Sequence, residues 1–248
     1  MLFHASNNPN ATAFLTMNNK GRIIKNTTYL ELGKYSTAIA RNLIRERKDF
    51  TEKHILVLIP TSTEFVMALF AVFMLEAQPV VLHSPDPNRL DEDIASIISV
   101  CVKYSIDYIL CDDFVEQMIK KPLASVYQAN SSRMATPSLV NISHLKLSKK
   151  DANIGINPKK DSIHIRTKST KTCTILVTAD ASLNLKYISF SEKEIIRFLT
   201  FIQSEYSITA SKPLLSCARS HSGFGFFYGN LLSIFAGNIF LACVIELQ

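Results

Sequence analysis

Apolar and polar positions along the chain follow two periods. Residues 11–17 and 23–27 alternate as strands do, and Asn18-Asn19-Lys20-Gly21 is the turn between them. Thr28 stands three residues before Glu31, the spacing of a capping box, with Thr28 as N-cap. Apolar residues at Leu32, Ala38, Ile39, Ala40 and Leu43 then continue as an amphipathic helix to about Arg47. An alternation of strands and helices follows. Short apolar runs at 54–59, 79–82 and 108–111 read as buried strands. Residues 62–75, 91–105 and 112 to about 121 read as helices, the first of them apolar nearly all round and so expected between two layers. Strand and helix in strict turn predict a parallel sheet with crossover helices.

The pattern fades over 122–172, which is rich in Ser, Asn, Lys and Pro and keeps only short apolar pieces at 138–142 and 163–165. This reads as a long basic connection carrying one or two strands. Regularity returns with strands at 173–178 and 185–189. A second capping box, Ser191 to Glu194, opens a helix to about Tyr206. A strand at 214–217, a helix at 226–235 and a strand at 239–244 complete the pattern. The expected class is α/β, with mostly parallel sheets flanked by helices. Three blocks are expected within one partial domain: 1–121, 122–172 and 173–248.

Composition narrows the classes. Of 248 residues 47% are apolar and 19% charged, which is core-forming. The net charge of +6 is concentrated between Lys146 and Lys171. That stretch holds no aromatic side chain to stack on a base and no helical spacing, so it reads as a solvated linker and no nucleic-acid partner is expected. The five cysteines, Cys101, Cys111, Cys173, Cys217 and Cys243, include no pair at metal-knuckle spacing. They fit a reducing compartment, and a cytoplasmic location is the expectation. Residues 223–245 carry no charge and are long enough to span a membrane. Gly223, Gly225, Gly229 and Gly237, with the Ala236-Gly237-Asn238 break, argue against a transmembrane span.

The order of elements resembles a known family. Residues 3–14 are similar to the opening of adenylate-forming (AMP-binding) domains, and Thr28-Tyr29-Leu30-Glu31-Leu32 resembles their TYxEL helix start. Ile55-Leu56-Val57-Leu58-Ile59-Pro60 and the Pro-rich turn at Pro79–Pro87 match the next elements, and Pro85-Asp86-Pro87 is similar to the fatty acyl-AMP ligase branch. The chain also resembles the disco-interacting protein 2 family, whose large chains contain such domains. Thr174–Thr178, Ile188-Ser189-Phe190 and residues 221–226 and 233–237 resemble its later blocks.

The resemblance implies a phosphate-binding loop after the strand at 173–178. In the family small residues let backbone N–H groups approach phosphate, and hydroxyls and a Lys offset its charge. Here the loop reads Thr178-Ala179-Asp180-Ala181-Ser182-Leu183-Asn184-Leu185-Lys186, without glycine. Positive-φ positions are then costly. Asp180 adds a negative charge that at ~4 Å and an effective dielectric near 20 repels a phosphate charge by roughly 4 kcal/mol. Thr178, Ser182 and Lys186 are the remaining cofactor-binding candidates. The family's Ser-His pair becomes Ser189-Phe190, and its pocket-lining His-Asp becomes His221-Ser222, which makes His221 the candidate substrate-pocket residue. The family's adenine-contacting segment, Mg-associated Glu, ribose-binding Asp and catalytic Lys are expected beyond Gln248. The resemblance therefore implies a non-catalytic domain of acyl-adenylating type, a fragment of a multidomain lipid-metabolism regulator. It implies an acyl or lipid ligand, no catalytic residues and no metal or other cofactor. The rest of a larger chain or a protein partner is expected to cover its open edge. The alternative is an active fatty acyl-AMP ligase using ATP and Mg, completed by further sequence.

Overall fold

The computed structural model describes residues 1–18, 20–46, 49–129, 135–144, 172–179 and 184–243. Asp180, Ser182 and the whole basic stretch 146–171, with the apolar piece at 163–165, lie outside the described residues. In chain order the elements are α1 (Leu2–Asn7), β1 (Thr12–Met17), β2 (Ile23–Thr28), α2 (Tyr29–Glu46), β3 (His54–Leu58), α3 (Thr63–Met74) and β4 (Gln78–Val81). A short 3₁₀ turn, Pro87–Arg89, leads into α4 (Leu90–Tyr104), β5 (Tyr108–Cys111), α5 (Asp113–Ala129) and β6 (Ser138–Asn141). Then come β7 (Thr172–Ala179), β8 (Leu185–Ser191), α6 (Glu192–Glu205), β9 (Leu214–Ser216), a π-helix (Gly225–Leu231), α7 (Leu232–Ala236) and β10 (Phe240–Cys243).

The strands form two sheets, ordered β6-β5-β3-β4-β7-β8 and β2-β1-β10-β9. All pairings are parallel except the hairpins β7–β8 and β1–β2. Side-chain alternation assigns each face of the larger sheet. Ile55, Val57, Val81, Leu110 and Leu176 enter one core with α2, α3, α6 and the smaller sheet. Leu56, Leu58, Val80, Ile109, Cys111, Ile175 and Val177 enter a second core under α4 and α5. This is the period of two that a strand buried on both faces must show.

Both capping boxes form. Thr28 Oγ1 accepts from the Glu31 N–H (3.2 Å) while the Thr28 N–H donates to Glu31 Oε2 (2.8 Å). Ser191 and Glu194 do the same for α6. The helix expected to stop near Lys121 instead runs to Ala129 through Pro122. Val115, Ile119, Leu123 and Tyr127, four residues apart, are all buried on the sheet. That burial outweighs the ~3 kcal/mol cost of an interior proline. The uncharged stretch at 223–245 is divided among a π-helix, a short α-helix and a strand. Among the described residues no helix is long and apolar enough to cross a membrane.

Candidate functional site at the carboxyl ends of the parallel strands

In open α/β sheets, ligands meet the carboxyl ends of parallel strands, where loops leave toward opposite faces. Four such ends converge here. The β3 end presents Thr61 and Ser62, and the β4 end presents His83 and Ser84. The β4–β7 register pairs Val81 with Leu176, so His83 and Thr178 stand two residues further along their strands, at the same level. The fourth contribution is the loop after β9, residues 217–222, whose Ser220 N–H donates to Thr61 Oγ1 at 2.8 Å. That bond ties the smaller sheet to the larger one at the site.

His221 is held by the turn in which it sits. The Ser222 hydroxyl donates to the Arg219 carbonyl (2.7 Å) and accepts from the Gly225 N–H (3.0 Å). A Cβ on Gly225 would stand 2.1 Å from the Arg219 carbonyl oxygen, so only glycine lets the loop close on the helix start. The His221 ring lies 5.9 Å from that of His83, centroid to centroid. Burial, with the positive potential of His83 and Arg219, lowers the pKa of His221 to about 4. The imidazole is therefore neutral at physiological pH.

His83 is fixed from behind. Its Nε2 is 2.9 Å from Oδ1 of Asp93, a carboxylate only 2% exposed in the first turn of α4. Asp93 also accepts from the Asp86 N–H (2.7 Å) and from Arg89 Nη2 (3.3 Å). Two hydroxyls flank the imidazoles: Ser84 Oγ beside His83 in the chain and Ser220 Oγ beside His221. Both are buried without a hydrogen-bond partner among the described residues.

Of the candidates named from sequence, Thr178 stands at the β7 end, level with His83, and His221 in the loop after β9. His221 is half-buried beside His83. Thr178 and Lys186 are exposed and face each other across the β7–β8 ladder, which pairs as far as Ala179 with Leu185. Ser182 lies outside the described residues. Phe190 packs edge-on against Phe227 at 4.9 Å and serves the core. Sequence reasoning missed His83 and Asp93. The available signals were a histidine directly after a buried strand and an aspartate on the inward side of α4. Among the described residues no three His, Cys, Asp or Glu side chains are grouped to hold a metal ion.

No family model matches the chain. It is 26% identical over 230 residues to an uncharacterized protein of Schizosaccharomyces pombe, a match covering 91% of this chain and 15% of that one. It is 20% identical over 237 residues to Disco-interacting protein 2 of Drosophila melanogaster (95% and 12%). Against human Disco-interacting protein 2 homolog A it is 19% identical over 236 residues (95% and 14%). The chain thus spans about a seventh of the length of these relatives. Among solved structures, the fatty acyl-adenylate ligase from L. pneumophila in complex with acyl adenylate and pyrophosphate superposes with a TM-score of 0.73 at 14% identity, covering 97% of this chain and 38% of that one. McyG A-PCP complexed with phenylalanyl-adenylate gives 0.77 at 14% identity, covering 97% and 35%. The fold is that of the amino-terminal domain of adenylate-forming ligases, and the sequence relatives include the disco-interacting protein 2 proteins.

Proposed function

We propose that the chain is an acyl-adenylate-type binding domain that does not itself catalyse adenylation, and that it serves as one module of a longer lipid-metabolism regulator. The β7–β8 hairpin carries this reading. Its ladder continues through Thr178–Lys186 to Ala179–Leu185, and no glycine lies anywhere from 178 to 186. A phosphate-gripping loop at that position needs backbone N–H groups turned inward, which depends on residues free to adopt positive φ. Thr178 and Lys186 supply one hydroxyl and one ammonium at the hairpin end, enough to contact an anion but not to surround a pyrophosphate. On this reading ATP and Mg are not required cofactors. The crevice at His83 and His221 receives an acyl or lipid head group, and the rest of the longer protein or a partner covers the exposed Leu215 and Phe224.

ATP–pyrophosphate exchange with a panel of fatty acids on the full-length gene product tests the proposal. The expected result is no exchange above background, together with a clear thermal shift from a non-hydrolysable acyl-adenylate analogue. Robust exchange would establish the active ligase instead, with Thr178 and Lys186 at its phosphate site.

A further inference from the structure

β2 is an edge strand of the smaller sheet, paired with β1 alone. Its ladder is interrupted. Thr16 stands opposite Lys25 and Met17 opposite Ile23, so Ile24 is the extra residue of a β-bulge. Adjacent side chains of a regular strand point to opposite faces, and a bulge breaks that alternation. Here both neighbours are left in solvent, Ile23 at 59% and Ile24 at 58% exposure. The turn beside them is firmly held. The Asn18 N–H donates to the Arg22 carbonyl (3.0 Å), the Gly21 N–H donates to the Asn18 carbonyl (2.9 Å), and Asn18 Oδ1 accepts from the N–H groups of Lys20 and Arg22 (3.0 Å each). Gly21 takes the positive φ of 71° that this closure requires. No acid precedes Glu31 in the chain, so Lys20, Arg22 and Lys25 have no local balance. Glu31 is engaged by Thr28 at the start of α2, and Glu64 on α3 pairs with Lys25. Lys20 and Arg22, both exposed, carry the charge of the tip. Two bare isoleucines set among cations complement a surface that is oily and negative, the interface of an anionic bilayer. The bulge disfavours addition of another strand to this edge, because it breaks the row of backbone groups such a strand would pair with.

We propose that the tip of the β1–β2 hairpin is a membrane-docking element, in which Ile23 and Ile24 enter the interfacial layer of an anionic bilayer while Lys20 and Arg22 meet the lipid head groups. β1, β10 and β9 run parallel, so the turn after β1 leaves the same edge of the smaller sheet as the 217–222 loop after β9. Docking by the tip turns that edge of the molecule toward the lipid. It is independent of any acyl ligand, and membrane binding and analogue binding can each fail alone.

The chain contains no tryptophan, so Ile24→Trp places a single indole at the bulge. The whole chain carrying it is mixed with vesicles of phosphatidylcholine, alone or with about 30% phosphatidylserine. The expected result is a blue shift of the emission with the anionic vesicles, quenched by brominated acyl chains and weakened by high salt. The unsubstituted chain should sediment with the same vesicles. Lys20→Gln and Arg22→Gln should each weaken that binding about fivefold, whereas Lys193→Gln, on α6, should not change it. Ile23→Ser with Ile24→Ser should abolish it and leave the thermal unfolding temperature unchanged, because both side chains are exposed. Failure to sediment with anionic vesicles would overturn the proposal. So would sedimentation with the indole emission unshifted, which would assign the binding to the basic stretch 146–171. Concentration-dependent dimerisation that the double serine variant loses, without vesicle binding, would assign the isoleucines to a second copy of the chain instead.

Discussion

Single groups in this protein act through how far burial and neighbouring charge move their protonation. His221 is lowered from near 6.5 to about 4, and His4 and His54 are also lowered, each chiefly by burial. A base whose pKa is lower folded than unfolded holds fewer protons in the folded state. Stability is then complete above about pH 6.5 and declines as the pH falls toward 4, because the unfolded chain takes up the protons. For His221 alone the loss is up to about 3 kcal/mol across that window. His221→Gln should therefore leave urea stability at pH 7.5 nearly unchanged and visibly reduce the drop between pH 7 and pH 4.5. An identical drop in the variant would assign the acid sensitivity to His4 and His54. At this scale the sequence was only half legible. His221 could be singled out because it stands in a recognisable loop, but the imidazole it faces at 5.9 Å, that of His83, lies 138 positions earlier. Nothing in local pattern joins residues that distant. Asp91, Glu92 and Asp93 all stand in the first turn of α4, where acids are common, and only burial distinguishes Asp93 from the other two.

Elements were more readable, because each announces itself through period and punctuation. The boxes at Thr28–Glu31 and Ser191–Glu194 marked the starts of α2 and α6, and both form. Ser191→Ala should cost about 1 kcal/mol in chemical denaturation, and Ser191→Asp should largely restore it. The same kind of reading ended α5 too early, because a proline is a local signal and the burial of Leu123 and Tyr127 is not. It also gave an ordinary helix for 226–235, where the chain winds as a π-helix from Gly225 to Leu231. Wider winding leaves carbonyls needing partners, and the buried Asn230 side chain supplies one by donating to the Gly225 carbonyl at 2.8 Å. Hydrophobic spacing over so short a stretch does not distinguish the two windings. Gly225 joins this element to the site, since its missing Cβ makes room for the Arg219 carbonyl. Gly225→Ala should force the 218–222 loop away, lower stability by about 1–3 kcal/mol and abolish the thermal shift given by the acyl-adenylate analogue. Gly223→Ala, whose added methyl meets nothing within 4 Å, is the matched control and should retain binding.

At the scale of the whole molecule, the chain's first and last described strands are neighbours. β1 pairs in parallel with β10, Phe14 opposite Phe240, and the two rings meet edge-on at 5.0 Å. Tyr29, at the start of α2, donates its hydroxyl to the Asn238 carbonyl at 2.9 Å. The smaller sheet therefore cannot form until the first thirty or so residues meet the last thirty, and the β9 loop that carries His221 hangs from that sheet through β10. Pattern reading found these strands individually but had no means of pairing them, since parallel partners so far apart leave no turn signal. The order could be expected only through the family resemblance. Phe14 and Phe240 are both almost fully buried, so Phe14→Ala removes a large side chain from a packed interior and should cost about 3–5 kcal/mol. Where that loss is felt is the sharper question. Core residues of the larger sheet alternate between two cores on its faces, while the smaller sheet joins only one of them. If the two sheets unfold together, Phe14→Ala shifts one transition for every probe. Hydrogen exchange should then report equal loss of protection in β10 and in β5, which lies far from the substitution in the larger sheet. Selective loss of protection in β1, β9, β10 and the 217–222 loop would instead show the smaller sheet to be a separately yielding unit. The site would then be assembled only while that unit is docked, and Phe14→Ala would weaken binding of the acyl-adenylate analogue without touching any group in the site.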